Sequence, residues 1–349
     1  MRIAVIAPLS PVPSVGYGPI ETVVHDLTEG LVLRGHEVIL FASAGSRSRA
    51  ILVPHLEAAP DPALPVVIRE ALFERVGRVA LAKAIEARVD VIHDHIYAAG
   101  GSDRIPTLHT VHGFPADELV GHLTAIGRSP GSVFNAISRR QRDLLLESNS
   151  ELPVMGAVHH GLDFSGMPVE AEKDDHYLFL GRASPEKGPD LAIAIAREAG
   201  VKLFLALRAR LPAEKRFLDT VLRPLAERAK GTITLLQEAS AVEKFELMRR
   251  ARGVLFTSRW EEPFGLVMIE AMACGTPVFA LRRGSAPEVI VDGVTGFLSG
   301  MEGEMPAAIL RAGEIDPRAC RAHVDRWFSA ARMVEDYERL YEEVAGDGS

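Results

Sequence analysis

Cysteine is nearly absent: Cys274 and Cys320 are the only two in 349 residues. That excludes a disulfide framework and a zinc site built on thiolates, and a reducing compartment is the natural setting. Dense blocks of Lys and Arg are also missing, and the net charge is −8. This balance argues against a nucleic-acid surface and leaves at most modest peripheral contact with an anionic membrane. No apolar run reaches membrane length. The opening "MRIAVIAPLSPVP" is too short to span a bilayer and lacks the basic start and small-residue cleavage site of a signal peptide, so it reads as a first β-strand. A cytoplasmic protein with no integral membrane segment is expected. Several chemical signatures are lacking too. There is no Gly-x-Gly-x-x-Gly or Walker loop, no His-Glu-x-x-His, and no Asp-x-Asp pair for a metal–diphosphate.

What is present is ordinary globular composition, 47% hydrophobic and 25% charged, over a length that suggests two domains. Short apolar runs alternate with longer helical patterns. "RIAVIAPL", "EVILFAS", "DVIHDH", "TLHTVHG", "SVFNAIS" and "PVMGAVHHG" read as strands in the first half. "HYLFLGR", "KLFLAL", "ITLLQ", "GVLFTS" and "PVFALR" do so in the second. Most are continuous rather than alternating, as in parallel sheets covered on both faces. Helical stretches at 20–34, 69–88, 187–199, 212–230 and 241–252 separate them. The pattern predicts an α/β protein of two doubly wound units, with the break in the polar stretch 164–175. Pro54, Pro60, Pro62 and Pro65 mark 44–68 as a long loop. Met333, Tyr337, Leu340, Tyr341 and Val344 form a helical stripe that must cover some apolar surface.

The segment "SRWEEPFGLVMIEAMACGTPV" at 258–278 combines a loop with a core helix. Pro263 and Gly265 break the backbone before the helix, and Gly275 and Pro277 end it. Glu270 lies within the apolar helix, where a buried carboxylate must be hydrogen-bonded or paired. Two uses fit: accepting from a ligand's hydroxyls, or satisfying a backbone turn or an arginine. The loop 262–266 offers N–H groups at a helix N-terminus, suited to an anion. "FLGRASPEKGPD" puts Arg182 and Lys187 around a tight turn at the carboxyl end of a strand, where open α/β sheets bind ligands. In the first half, Gly16 and Gly18 lie in a loop after the first strand and would let a ligand approach the backbone. His93, His95, His109, His112, His159 and His160 gather near strand ends without a zinc-ligand spacing. Packing is the expected role for all but His112, which ends its strand at Gly113 and should point into a crevice. Asp94 and His95 end a strand similarly and allow a structural reading.

These segments together resemble the retaining glycosyltransferases of family 4. "EEPFGLVMIEAMACGTPV" is similar to that family's signature, with Glu262 and Glu270 in the places of its Glu-x7-Glu pair. "GRASPEKG" resembles its diphosphate turn, "GYGPIETVVHDLTEGLVLRGHEV" its glycine loop and first helix, and "VHG" its histidine turn. "HHGLD" stands where Asn-Gly-Val-Asp is common, and Ser285 where a second glycine is usual. The resemblance implies the GT-B fold, two Rossmann-like domains facing a central cleft. Residues 1–165 would form the acceptor-side domain, completed by a terminal helix of about 328–349 that crosses back to it. Residues 166–327 would form the donor side. It further implies metal-independent transfer of a sugar from a nucleoside-diphosphate sugar to an acceptor hydroxyl, with retention of configuration and no cofactor.

By the same resemblance, Glu270 would bind the ribose, its hydrogen-bonding partner arriving with the ligand. Arg182 and Lys187 would hold the diphosphate, joined by N–H groups of Gly265, Leu266 and the Gly16–Gly18 loop. Glu262 and the Phe264 backbone would address the donor sugar, and His112 would lie beside that sugar. A same-fold epimerase or phosphorylase, or a nucleotide-sugar sensor without turnover, are the competing readings. The base, the acceptor and the oligomeric state are not legible.

Overall fold

The computed structural model describes residues 1–13, 18–61, 66–170, 172–229, 231–236 and 239–346. Two compact units are found: Met1–Asp163 together with Ser329–Ser349, and Phe164–Phe328. Among the described residues, no helix is long and apolar enough to cross a membrane.

The first unit is built on seven strands: β1 (Arg2–Ile6), β2 (Glu37–Ser43), β3 (Ile51–Leu56), β4 (Val91–Asp94), β5 (Thr107–Val111), β6 (Ser132–Ala136) and β7 (Val154–Ala157). All their pairings are parallel, in the order β3-β2-β1-β4-β5-β6-β7. The chain runs outward from β1 to β3 and then returns to β4 on the other side of β1. The strand order therefore reverses between β1 and β4, the place where such sheets open a crevice. β1, β4 and β5 are buried almost throughout, which explains their unbroken apolar or small-polar runs.

β3 corrects the reading of 44–68 as a loop. It is an edge strand with no fully buried residue, and it carries Pro54. An edge tolerates proline because one side of its backbone has no ladder to complete. The half-exposed, proline-bearing sequence therefore gave no core-strand signal.

The terminal helix, Ala330–Gly346, belongs to this unit. Met333, Val334, Tyr337, Leu340, Tyr341 and Val344 are all buried. The helix packs on Pro19–Leu33, whose Gly30 permits close approach: a Cβ there would stand 2.5 Å from Val334 Cγ2. Tyr341 Oη lies 2.7 Å from His93 Nδ1. Tyr337 Oη lies 3.0 Å from Thr110 Oγ1 and accepts from Asn135 Nδ2 at 3.2 Å. Glu338 pairs with Arg34 and His36. The apolar stripe thus covers the first unit, as the crossing terminal helix of the resemblance implied.

The second unit has six strands: β8 (Tyr177–Arg182), β9 (Leu203–Arg208), β10 (Ile233–Leu236), β11 (Val254–Phe256), β12 (Val278–Leu281) and β13 (Gly296–Ser299). They too are parallel, in the order β10-β9-β8-β11-β12-β13, so the reversal falls between β8 and β11. The helix expected over 212–230 is interrupted. Pro212–Phe217 and Arg223–Arg228 are α-helical, with a wider π turn at Leu218–Leu222. Pro224 has no N–H for the carbonyl of Thr220, and the helix opens just before it.

Replacing Tyr337 by Phe removes a hydroxyl shared by Asn135 and Thr110 in a buried site. The expected loss is about 1–2 kcal/mol, read as a lowered urea midpoint with an unchanged slope.

Candidate active site

Two loops meet at the β8/β11 reversal. The first leaves β8 at Arg182, makes a short 3-10 turn at Pro185–Lys187, and enters the helix Pro189–Ala199 through Gly188. Gly188 has φ +70°, and a Cβ on it would lie 2.2 Å from the Thr257 carbonyl oxygen, so only glycine fits. The second loop leaves β11 and enters the core helix Leu266–Ala273 through Gly265, φ +77°. The loops are tied together. Thr257 Oγ1 donates to the Gly188 carbonyl at 2.7 Å, and the Arg259 N–H donates to the Glu186 carbonyl at 2.8 Å. Arg259 also pairs with Asp190 at 2.8 Å. A third segment braces them from the end of β12. Ser285 Oγ donates to the Phe264 carbonyl at 2.6 Å, and the Ser285 N–H to the Glu262 carbonyl at 3.0 Å.

The structure brings Arg182, Lys187, Glu262, Phe264, Gly265, Leu266 and Glu270 into this one unit. Gly265 and Leu266 are partly exposed, and the first N–H groups of the helix have no acceptor within it. The polar side chains, however, already have protein partners. Arg182 meets Glu186 at 3.0 Å and Glu214 at 3.3 Å. Burial would raise the Glu214 carboxyl, but the N–H groups of Leu211 and Arg210 and the Arg182 guanidinium outweigh it and hold it below its usual range. Glu262, 9% exposed, takes three donors on Oε2: Lys187 Nζ, Trp260 Nε1 at 2.6 Å and Ser258 Oγ at 3.3 Å. Lys187 Nζ also lies 4.9 Å from the Trp260 ring centroid.

Glu270 requires a correction. The expectation was a carboxylate whose partner arrives only with a ligand. Instead Lys244 Nζ donates to its Oε1 at 2.5 Å, from the first turn of the helix Ala241–Arg250. A carboxylate only 8% exposed needs compensation even in the empty protein. The Phe264 carbonyl is likewise in use, accepting from Ser285. Sequence reasoning missed Lys244, Ser258, Trp260 and Glu214. Lys244 and Glu270 stand 26 residues apart, and no local spacing rule joins them. Glu186, four residues after Arg182, was open to detection as an ion-paired neighbour.

In the first unit, Gly16 lies outside the described residues. Gly18 caps the helix Pro19–Leu33, and its carbonyl accepts from the Thr22 N–H at 3.0 Å and from Thr22 Oγ1 at 2.9 Å. His112 follows β5 at the sheet's carboxyl end, yet it does not stand alone. Its Nε2 is 2.9 Å from His95 Nδ1, and its ring stacks on His160 with centroids 5.2 Å apart. His93 continues the column, its ring centroid 4.0 Å from that of His95. The His112 N–H donates to Tyr97 Oη at 2.6 Å. Tyr97 itself has φ +56° and sits in a loop gathered by Asp94, which accepts from the N–H groups of Ile96, Ala98 and Ala99, each at 2.8 Å. Burial would raise Asp94, but His109 at 3.3 Å and these N–H groups hold it below the usual carboxylate range. Asp94 is thus structural. Burial pushes His93 and His112 down to about 3 and His95 and His160 well below the ordinary imidazole value.

Comparison with known proteins gives this geometry a class. The sequence pattern of "Glycosyl transferases group 1" matches residues 166–309, and that of "Glycosyltransferase Family 4" matches residues 18–147. The D-inositol 3-phosphate glycosyltransferase of Mycolicibacterium smegmatis is 27% identical over 327 residues, spanning 77% of this chain and 72% of that enzyme. The crystal structure of AviGT4, a glycosyltransferase involved in avilamycin A biosynthesis, matches with a TM-score of 0.72 at 24% identity, covering 99% of this chain and 98% of that one. The sucrose-phosphate synthase of Thermosynechococcus elongatus matches at 0.78 and 20% identity, covering 99% of this chain and all of that one. Two parallel sheets with helices and these neighbours define the GT-B fold of glycosyltransferases. The chain belongs to the group 1 glycosyltransferases of family 4 and is a glycosyltransferase.

Two outcomes follow from the charges described. Lys244→Met leaves Glu270 without its cation and lowers stability by about 1–3 kcal/mol, measured by chemical denaturation, whereas Lys244→Arg retains most of it. The histidine column sets an acid limit. Its members are held below 6.5 in the folded state, so their contribution is fully present above pH 6.5. It is lost as pH falls and the unfolded chain takes protons the folded one refuses, at up to about 1.4 kcal/mol per histidine per pH unit. Denaturation midpoints measured from pH 7.5 down to 4.5 should fall progressively.

Proposed function

We propose that the protein transfers a sugar from a nucleoside-diphosphate sugar to an acceptor hydroxyl, with retention of anomeric configuration and without a metal ion. The observation that supports this reading most is the gathering of Arg182, Lys187, the N-terminus of Leu266–Ala273, Glu262 and Glu270 at the one point where the second sheet reverses its strand order. In this reading Arg182, Lys187 and the N–H groups of Gly265 and Leu266 receive the diphosphate. Glu270 accepts from the ribose hydroxyls, and Glu262 with the Phe264 backbone addresses the donor sugar. Gly16 and Gly18 are assigned to the diphosphate, and His112 to the sugar, by resemblance alone.

The chemistry that these groups would serve is simple. The bond from the anomeric carbon to the phosphate oxygen breaks, and its electron pair stays on the diphosphate. The acceptor oxygen bonds to the anomeric carbon from the same face, and its proton passes to the departing phosphate oxygen. Negative charge grows on the diphosphate during this step, so donors already aimed at it lower the barrier, each by about 2.7–4 kcal/mol. The diphosphate is a good leaving group and needs no strong general acid. The metal-free reading rests on the cationic turn and on the lack of any Asp-x-Asp pair in the sequence.

UDP, GDP and ADP are tested by thermal shift, and one of them should stabilise the protein by about 2.7 kcal/mol at 100 times its dissociation constant. Glu270→Ala should weaken that ligand, and binding equal to the wild type removes Glu270 from the ribose. Arg182→Met should slow turnover of the matching nucleotide sugar by about 100- to 1000-fold, with EDTA leaving the wild-type rate unchanged.

A further inference from the structure

We infer that Glu262 is a resident competitor for Lys187, a carboxylate latch that loosens the hold on the nucleoside-diphosphate product. The inference rests on the reading that Lys187 receives the diphosphate, and it adds a control of release to that site.

The geometry points to it in three ways. Glu262 Oε2 is the common acceptor of Lys187 Nζ, Trp260 Nε1 and Ser258 Oγ. A lysine drawn from there toward a phosphate weakens a charge-assisted hydrogen bond in a largely buried setting, so the carboxylate competes with the phosphate for it; the two side chains are 20% and 11% exposed. The second point is what remains after Lys187 turns away. Trp260 and Ser258 still donate to the same oxygen, so Glu262 stays in place and is not left bare. The loop is also held independently, by the Ser285 N–H on the Glu262 carbonyl and by Gly284, whose Cβ would collide with the Glu262 backbone at 2.5 Å. Third, Lys187 has a support besides Glu262, since its Nζ lies over the Trp260 ring.

The consequence separates donor from product. A nucleotide sugar carries hydroxyls that can donate to the acceptor site on Glu262 that Lys187 vacates, and so replaces the contact it displaces. A bare nucleoside diphosphate has no such hydroxyl at that position. It must take Lys187 from Glu262 with nothing offered in return. Once the sugar has been transferred, the carboxylate reclaims the lysine and the product is held less firmly.

The test is a two-by-two set of variants: wild type, Glu262→Gln, Lys187→Met, and both together. Calorimetric dissociation constants are measured for whichever of UDP, GDP and ADP gives the largest thermal shift, and for inorganic pyrophosphate. Glu262→Gln should bind the nucleoside diphosphate about 5- to 10-fold more tightly than the wild type, since a neutral amide holds the lysine less firmly. Lys187→Met should weaken binding, and Glu262→Gln should bring no gain in that background. A loss in Lys187→Met with no tightening in Glu262→Gln overturns the latch and leaves the diphosphate assignment standing. Equal tightening in both backgrounds also overturns it, because that is plain relief of repulsion between Glu262 and the phosphates. Unchanged affinity in Lys187→Met overturns the diphosphate assignment and the latch together.

Discussion

Charge in a partly buried setting has to be answered by charge, and that constraint organises the β8/β11 end of the second unit. Arg182 is answered by Glu186 and Glu214, Lys187 by Glu262, and Lys244 by Glu270. A simple anion pocket would have left its cations bare. Here the cations are preorganised but engaged, and under the proposed function an incoming diphosphate competes for them with carboxylates already present. The energetic difference between ligands then depends on what each ligand returns to the carboxylates it displaces, as well as on how well it meets the cations.

Such an exchange requires a frame that does not move with it. The frame is backbone and glycine. Gly188 and Gly265 adopt positive φ, and Gly284 (φ +58°) packs on the Glu262 backbone with no room for a side chain. The Thr257 and Ser285 hydroxyls and the Arg259 and Ser285 N–H groups tie the three loops to one another through backbone carbonyls, without using Arg182, Lys187 or Lys244. The loops can therefore keep their shape while the ion pairs change partners. The first unit has the opposite character. His93, His95, His112 and His160 are stacked and buried with their pKa values pushed down, and the tyrosines of the terminal helix pack against His93. That column stays uncharged near neutral pH.

Much of this was legible from residue patterns. Continuous apolar runs with helical stretches between them announced two parallel sheets, because strands covered on both faces have no polar side to show. Gly-x-x-x-x-x-Lys-Gly in "GRASPEKG" and the Gly265 start of a core helix announced turns at strand ends, because positive φ leaves glycine as the low-cost choice. β3 escaped notice because an edge strand is half wet and admits Pro54. The pairing of Lys244 with Glu270 escaped because two helices with no sequence relation bring those residues together. The histidines were visible as a group of six but not as a column, since stacking depends on the registers of β4, β5 and the chain after β7.

The sequence by itself determined the local grammar: which runs are strands, where glycine must turn the chain, and that a carboxylate sits inside an apolar helix. Periodicity and backbone sterics act over a few residues, so a few residues suffice to read them. Only the tertiary structure decided which charges answer one another, which strand lies at the edge, and where the terminal stripe is buried. Those outcomes depend on distances between segments far apart along the chain, and Coulomb and hydrogen-bond energies are set by such distances rather than by residue order.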